Sequence, residues 1–60
     1  MPDRELLRKI MYLQEWTQEE LAAELGFTRS QVSKVINNKL NLRSAVRRLA
    51  ERLLKRIEEN

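Results

Sequence analysis

The side chains best suited to binding chemistry lie in the middle of the chain, where cations and hydroxyls recur at helical spacing. A helix over residues 28–37 would place two cations and two hydroxyls on one face and apolar residues on the opposite face. Between Glu24 and Glu51 there is no Asp or Glu that would repel an anion. The pattern therefore predicts a binding surface for a polyanion. Its four central residues are Arg29, Ser30, Ser33 and Lys34.

The composition argues against catalysis. The 60 residues include no Cys and no His, which excludes disulfides, thiolate zinc sites and the commonest general base. The single glycine leaves no glycine-rich phosphate loop, and no carboxylate pair lies on an apolar face. We therefore expect no enzymatic activity, no metal and no cofactor. A core this small also leaves no room for a small-molecule ligand.

No segment of the chain predicts an association with a membrane. No apolar run approaches the ~18 residues that a membrane span needs. The first nine residues, MPDRELLRK, lack the apolar core of a signal peptide. The formal net charge is +3, which suits an anionic partner in solution. We expect a cytoplasmic protein that does not bind membranes.

Four helices are expected to position the basic face. Apolar residues recur at helical spacing in four stretches, and no alternating run is long enough for a strand. We predict an all-α fold in which residues 1–60 form one small domain. Asp3 is the expected cap of the first helix, and Asn38 the expected left-handed residue after the third. The predicted helices span about 3–15, 17–25, 28–37 and 42–58.

The turn between the second and third helices must be very short. Thr17 and Glu20 have the spacing of a capping box, and so do Thr28 and Gln31, so each helix has its own start signal. Gly26 lies between the two signals and tolerates the positive φ that ends a helix abruptly. The spacing therefore predicts two helices joined at a steep angle, which is a helix-turn-helix.

These motifs resemble the helix-turn-helix regulators of the Cro and lambda-repressor type, also called XRE-like. The resemblance covers roughly residues 7–53, with Ala22 at the small position where the two helices approach closely and Gly26 at the turn. Many members carry a buried salt bridge between an arginine at the position of Met11 and a glutamate at that of Ile36. Both positions are apolar here, and we expect a packed contact, because such a replacement is often neutral or stabilising. The remaining packing positions are Leu21, Leu25, Phe27, Val32 and Val35.

The resemblance implies a sequence-specific transcriptional regulator, repressor-like, that binds double-stranded DNA with helix 28–37 in the major groove. It assigns the base contacts to Arg29, Ser30, Ser33 and Lys34. The two cations suit guanine, which presents two acceptors in that groove. Gln18 lies in the first turn of the second helix, where free N–H groups favour an anion. The expected phosphate contacts are Gln18, Thr28, Asn37, Lys39, Asn41 and Arg43.

The last helix is expected to contribute to a homodimer. One module of this size reads few base pairs, and members of the family usually bind an inverted repeat as dimers. The apolar face of the last helix is wider than one packing contact requires. We expect Leu53, Leu54 and Ile57 to meet a second copy. The alternative is that these three residues only cover Leu6 and Leu7 of the first helix.

Two other functions remain open at this stage. The same scaffold serves as a protein-interaction module in antitoxin- or adaptor-like proteins, and structured RNA is a third possible partner. The acid-free stretch and the small polar residues of the third helix favour DNA over an apolar protein groove. RNA is disfavoured because Tyr12, Trp16 and Phe27 do not form an aromatic stacking platform.

Overall fold

Four helices follow one another in a computed structural model that describes residues 1–59. They are α1 (Asp3–Gln14), α2 (Gln18–Leu25), α3 (Arg29–Ile36) and α4 (Ser44–Glu59). No strand occurs in this part of the chain, which confirms the predicted all-α class. The predicted bounds differ from the observed ones by one or two residues. The largest shift is at α4, which begins at Ser44 and not at Leu42.

Both predicted capping boxes are confirmed. The Thr17 hydroxyl accepts a hydrogen bond from the Glu20 N–H at 3.2 Å, and the Glu20 carboxylate accepts one from the Thr17 N–H at 3.0 Å. Thr28 and Gln31 repeat this geometry at 3.2 Å and 2.9 Å. Thr17 and Thr28 are therefore caps that lie just outside α2 and α3. These local bonds satisfy N–H groups that have no partner inside the helix.

The first three helices are each followed by a residue with positive φ. Glu15, Gly26 and Asn38 have φ values of 56°, 71° and 60°. In each case the next N–H bonds the carbonyl five residues back, as in a Schellman motif, at 2.8–3.0 Å. Gly26 and Asn38 were predicted for this role. The prediction that Glu15 continues α1 is wrong, because its left-handed conformation ends the helix.

The core lies where α1 packs against the other three helices. Its largest fully buried side chains come from α1, α2 and α3, and the buried Ala50 and Leu54 of α4 close it. Met11 and Ile36 are half-buried and pack against this core, and a direct contact between the two stays a prediction. The core consists of Leu6, Leu7, Ile10, Leu21, Ala22, Leu25, Val32, Val35, Leu42, Ala50 and Leu54.

Asp3 does not cap α1, which corrects the prediction. The cap position is Pro2, and no side chain caps this helix. The Asp3 carboxylate instead accepts the Leu42 N–H at 2.8 Å and pairs with the Arg47 guanidinium. Arg47 also donates to the Met1 carbonyl. These bonds tie the start of α1 to Leu42 and Arg47, on either side of the start of α4.

Leu54, which was predicted to meet a second copy, is buried within the single chain. Only 7% of its surface is exposed, and it faces α1 beside Leu6. Ile57 is half-buried against the same core. Both residues pack within the single chain, as the alternative interpretation expects, and their part in a dimer stays a prediction. Leu53 lies at the edge of the core and is half-buried. Within residues 1–59, no helix has the length and apolar character required to cross a membrane.

Candidate nucleic-acid interface

Helix α3 is divided into a buried and an exposed face. Val32 and Val35 are fully buried, which fixes the rotation of the helix about its own axis. Arg29, Ser30 and Lys34 consequently lie in solvent, and Ser33 is half-buried between the two faces. The capping box at its start adds a sharp, defined N-terminus. The four side chains predicted to contact bases therefore project from one rigid element.

A shallow surface groove joins this face to the start of α2 and the end of α3. Seven of the ten residues predicted to contact DNA line it: Gln18, Arg29, Ser30, Ser33, Lys34, Asn37 and Lys39. Two of these residues, Gln18 and Lys39, lie 21 positions apart in the sequence. The helix-turn-helix geometry brings them to one surface because the tight turn at Gly26 folds α3 across α2. We call this surface the α3 groove.

Three predicted phosphate contacts lie outside the α3 groove. Thr28 is exposed at the turn, and its hydroxyl is the cap of α3. Asn41 and Arg43 are exposed in the connection between α3 and α4. A DNA backbone that follows the groove would extend past the residues that line it. These three residues are therefore compatible with phosphate contacts on either side of the groove. Their roles stay predictions.

The cations of the α3 groove are not neutralised by the protein itself. The ion pairs within residues 1–59 join Lys9 to Glu58 at 3.0 Å and Arg47 to Asp3 and Glu51. Arg29, Lys34 and Lys39 take part in none of them. The groove lining also contains no carboxylate. Its field is therefore positive and favours an anionic ligand.

Two amides near the groove already have local hydrogen bonds. The Asn37 side chain donates to the Ser33 carbonyl at 2.9 Å, which helps to end α3. The same nitrogen also donates to the Ser33 hydroxyl at 3.4 Å, a long contact whose hydrogen a ligand can compete for. The Gln31 carbonyl oxygen is used in the capping box, as expected from its spacing to Thr28. Asn37 can still contact a phosphate, and Gln31 is foremost a structural residue.

Sequence reasoning missed two neighbours of Arg29. Thr17 and Glu19 line a second depression together with Gln18 and Arg29, next to the α3 groove. Glu19 is an acidic residue at the rim of a basic surface, and it lies ten positions from Arg29 in the chain. Nothing in the sequence links the two residues, because only the packing of α3 on α2 brings them to one depression.

Comparison with known proteins assigns this architecture. A model of the helix-turn-helix family matches residues 4–59, which include all four helices except the first residue of α1. Neither the curated proteins nor the solved structures gave a significant match to the chain. The family match covers the capped helices, the turn at Gly26 and the groove between them. The chain therefore belongs to the helix-turn-helix family of DNA-binding domains, of the XRE-like type found in Cro and lambda repressor.

Proposed function

We propose that the protein is a sequence-specific regulator of transcription, repressor-like, that inserts α3 into the major groove of double-stranded DNA. The observation that carries this proposal is the α3 groove, with seven predicted DNA contacts on one surface and no carboxylate in its lining. Its side chains are hydrogen-bond donors of the kind that read base edges and hold phosphates. In this proposal the protein binds DNA in the cytoplasm and does not catalyse a reaction.

The dimensions of the helix suit this role. An α-helix with its side chains is about 10–12 Å across, and the major groove is about 12 Å wide. Arg29 and Ser30 stand at its N-terminal end, the part that approaches base edges in this family of folds. Lys34 and Ser33 follow one turn later. In the proposal each half-site contains at least one guanine, read by Arg29 or Lys34.

The size of the domain supports binding as a homodimer on an inverted repeat. The chain measures 31 × 22 × 18 Å. The centres of two half-sites on one DNA face are about 34 Å apart, which is longer than a single copy. Two copies side by side would span this distance, and would double the number of bases read.

Selection of random duplex DNA by the purified protein tests the proposal. We expect a winning sequence with two-fold symmetry and a guanine in each half. Its affinity should fall steeply between 50 and 200 mM salt, by about 10³-fold or more if the six predicted phosphate contacts form. Weak binding without sequence preference would contradict the proposal and would favour the protein-interaction alternative. Preference for structured RNA over duplex DNA would contradict it as well.

A further inference from the structure

An apolar groove lies between α2 and α4 and has no residue in common with the α3 groove. Its lining consists of Glu24, Leu25, Leu49, Arg52, Leu53 and Arg56. Leu49 is 45% exposed at its edge, and Leu25 and Leu53 form apolar walls. We call it the α2–α4 groove. A single exposed leucine is ordinary on a protein surface, but one beside an apolar groove offers both a protrusion and a recess.

The charges that flank the groove have opposite signs on its two sides. On α2, Glu24 lines the groove and is exposed. On α4, Arg52 and Arg56 lie one turn apart, line the groove and are both exposed. The groove thus has an acidic bank on α2, a basic bank on α4 and an apolar floor between them.

This arrangement is complementary to itself. A two-fold axis that runs along the groove exchanges its left and right banks between the two copies. The acidic bank of one copy then faces the basic bank of the other, and the contact occurs twice. Leu49 of each copy enters the apolar recess of its partner. Charge complementarity of this kind selects one partner over others.

We propose that the α2–α4 groove is the self-association surface of this protein, with a second copy of the chain as its occupant. The inference rests on the homodimer of the proposed function and names its interface. It keeps the predicted Leu53 and adds Leu49, whereas Leu54 is buried and Ile57 half-buried within one chain. The lining of the α2–α4 groove shares no residue with that of the α3 groove, so the same residues are not required for both contacts.

The other exposed apolar patch does not have this property. Met11, Tyr12, Leu13 and Glu15 line a depression at the end of α1. Its only charged residue is acidic, so a second copy seated there would find no cation among the lining residues to pair with Glu15. Leu13 is 41% exposed, close to the 45% of Leu49. This similarity makes Leu13 a matched control for the apolar contact.

Sedimentation equilibrium of three proteins tests the apolar contact. We expect a dimer for the wild type, a dimer dissociation constant raised about tenfold or more for Leu49→Arg, and no change for Leu13→Arg. Both substitutions add the same charge to an exposed leucine, so a general effect of charge or folding would appear in both. A monomeric wild type, or equal effects of the two substitutions, would overturn the inference.

Charge reversal tests the pairing between copies. Glu24→Arg and Arg52→Glu should each weaken self-association about tenfold, because each places like charges against each other twice. In an equimolar mixture the two variants should form a heterodimer, since both contacts are then between opposite charges. If Glu24 and Arg52 instead paired within one chain, mixing the two variants would not restore the pair. Failure of the mixture to associate would therefore exclude this geometry.

A DNA measurement separates this inference from the proposed function. Leu49→Arg should bind a single half-site of the selected duplex with wild-type affinity, and bind the full inverted repeat at least about tenfold more weakly than wild type. If the wild type selects no DNA sequence but its association still depends on Leu49, the proposed function fails and the interface stands. If the wild type binds a specific sequence but Leu49→Arg associates normally, the interface is wrong and DNA binding stands.

Discussion

Replacing Asp3 by Ala tests whether the start of α1 is held to the start of α4 by side-chain chemistry. The Asp3 carboxylate accepts the Leu42 N–H at 2.8 Å and pairs with Arg47, and these partners lie 39 and 44 positions away. The side chains of Asp3 and Arg47 are 19% and 30% exposed, so water weakens but does not abolish their interaction. Removing the carboxylate leaves the N–H of the buried Leu42 without this acceptor.

The expected loss can be worked out from the two contacts. A hydrogen bond to a charged group contributes about 1.5–3 kcal/mol, and partial exposure favours the lower end of that range. The ion pair with Arg47 adds about 0.5 kcal/mol at this exposure. We therefore expect Asp3→Ala to lower the free energy of unfolding by about 2 kcal/mol. In a domain of this size each kcal/mol lowers Tm by about 4–8 °C, so we expect a decrease of about 8–16 °C.

Thermal unfolding followed by circular dichroism measures this decrease, with Glu5→Ala as the control. Glu5 is also acidic and lies in the first turn of α1, but it is exposed. It should lose only its interaction with the helix dipole, about 0.3–1 kcal/mol. Asp3→Asn keeps an oxygen for the Leu42 N–H and should be intermediate. Equal decreases for Asp3→Ala and Glu5→Ala would refute the reasoning, because the tertiary contacts would then contribute nothing.

Two further pairs of substitutions test the positive-φ residues and the DNA contacts, and the two members of each pair have different expected outcomes. Gly26→Ala should lower Tm by about 4–8 °C, since φ is 71° and a side chain there is strained although no atom lies within 4 Å of the new Cβ. Glu15→Gly should raise Tm by a few degrees, because glycine removes the strain of a left-handed residue at φ 56°; a decrease would contradict this account. Arg29→Ala should relax base preference at one position of the selected duplex by about 1–3 kcal/mol. Arg43→Ala should weaken binding to all duplexes alike, and the reverse pattern in a binding assay on variant duplexes would exchange the two roles.

Local signals in the sequence predicted most of the helix-turn-helix. The capping boxes at Thr17 and Thr28 and the positive φ of Gly26 and Asn38 were all expected, because each depends on residues within one or two turns. The seven residues that line the α3 groove were also all predicted as DNA contacts. The helix-turn-helix resemblance supplied their roles, and helical spacing supplied the exposed face of α3.

The sequence was less informative where the local preference of a residue competes with a bond to a distant residue or with the demands of the next turn. Asp3 has the residue type and position of a helix cap, yet its carboxylate bonds Leu42 and Arg47 in another part of the chain. Glu15 has no residue type that favours positive φ. It adopts this conformation so that α1 can end just before the capping box at Thr17. In both cases the local preference is worth about 1 kcal/mol, and a tertiary contact or an adjacent turn outweighs it.

By itself, then, the sequence determined the helices, their start signals and the side chains that α3 presents, because these follow from short-range bonds and helical spacing. Only the tertiary structure decided which part of the wide apolar face of α4 is buried. Packing against α1 places Leu54 in the core and leaves Leu49 at an open edge, although both are leucines of one amphipathic helix. The physical reason is that the apolar stripe of a helix shows only that this face must be buried. Which of its residues are buried depends on where the neighbouring helix packs.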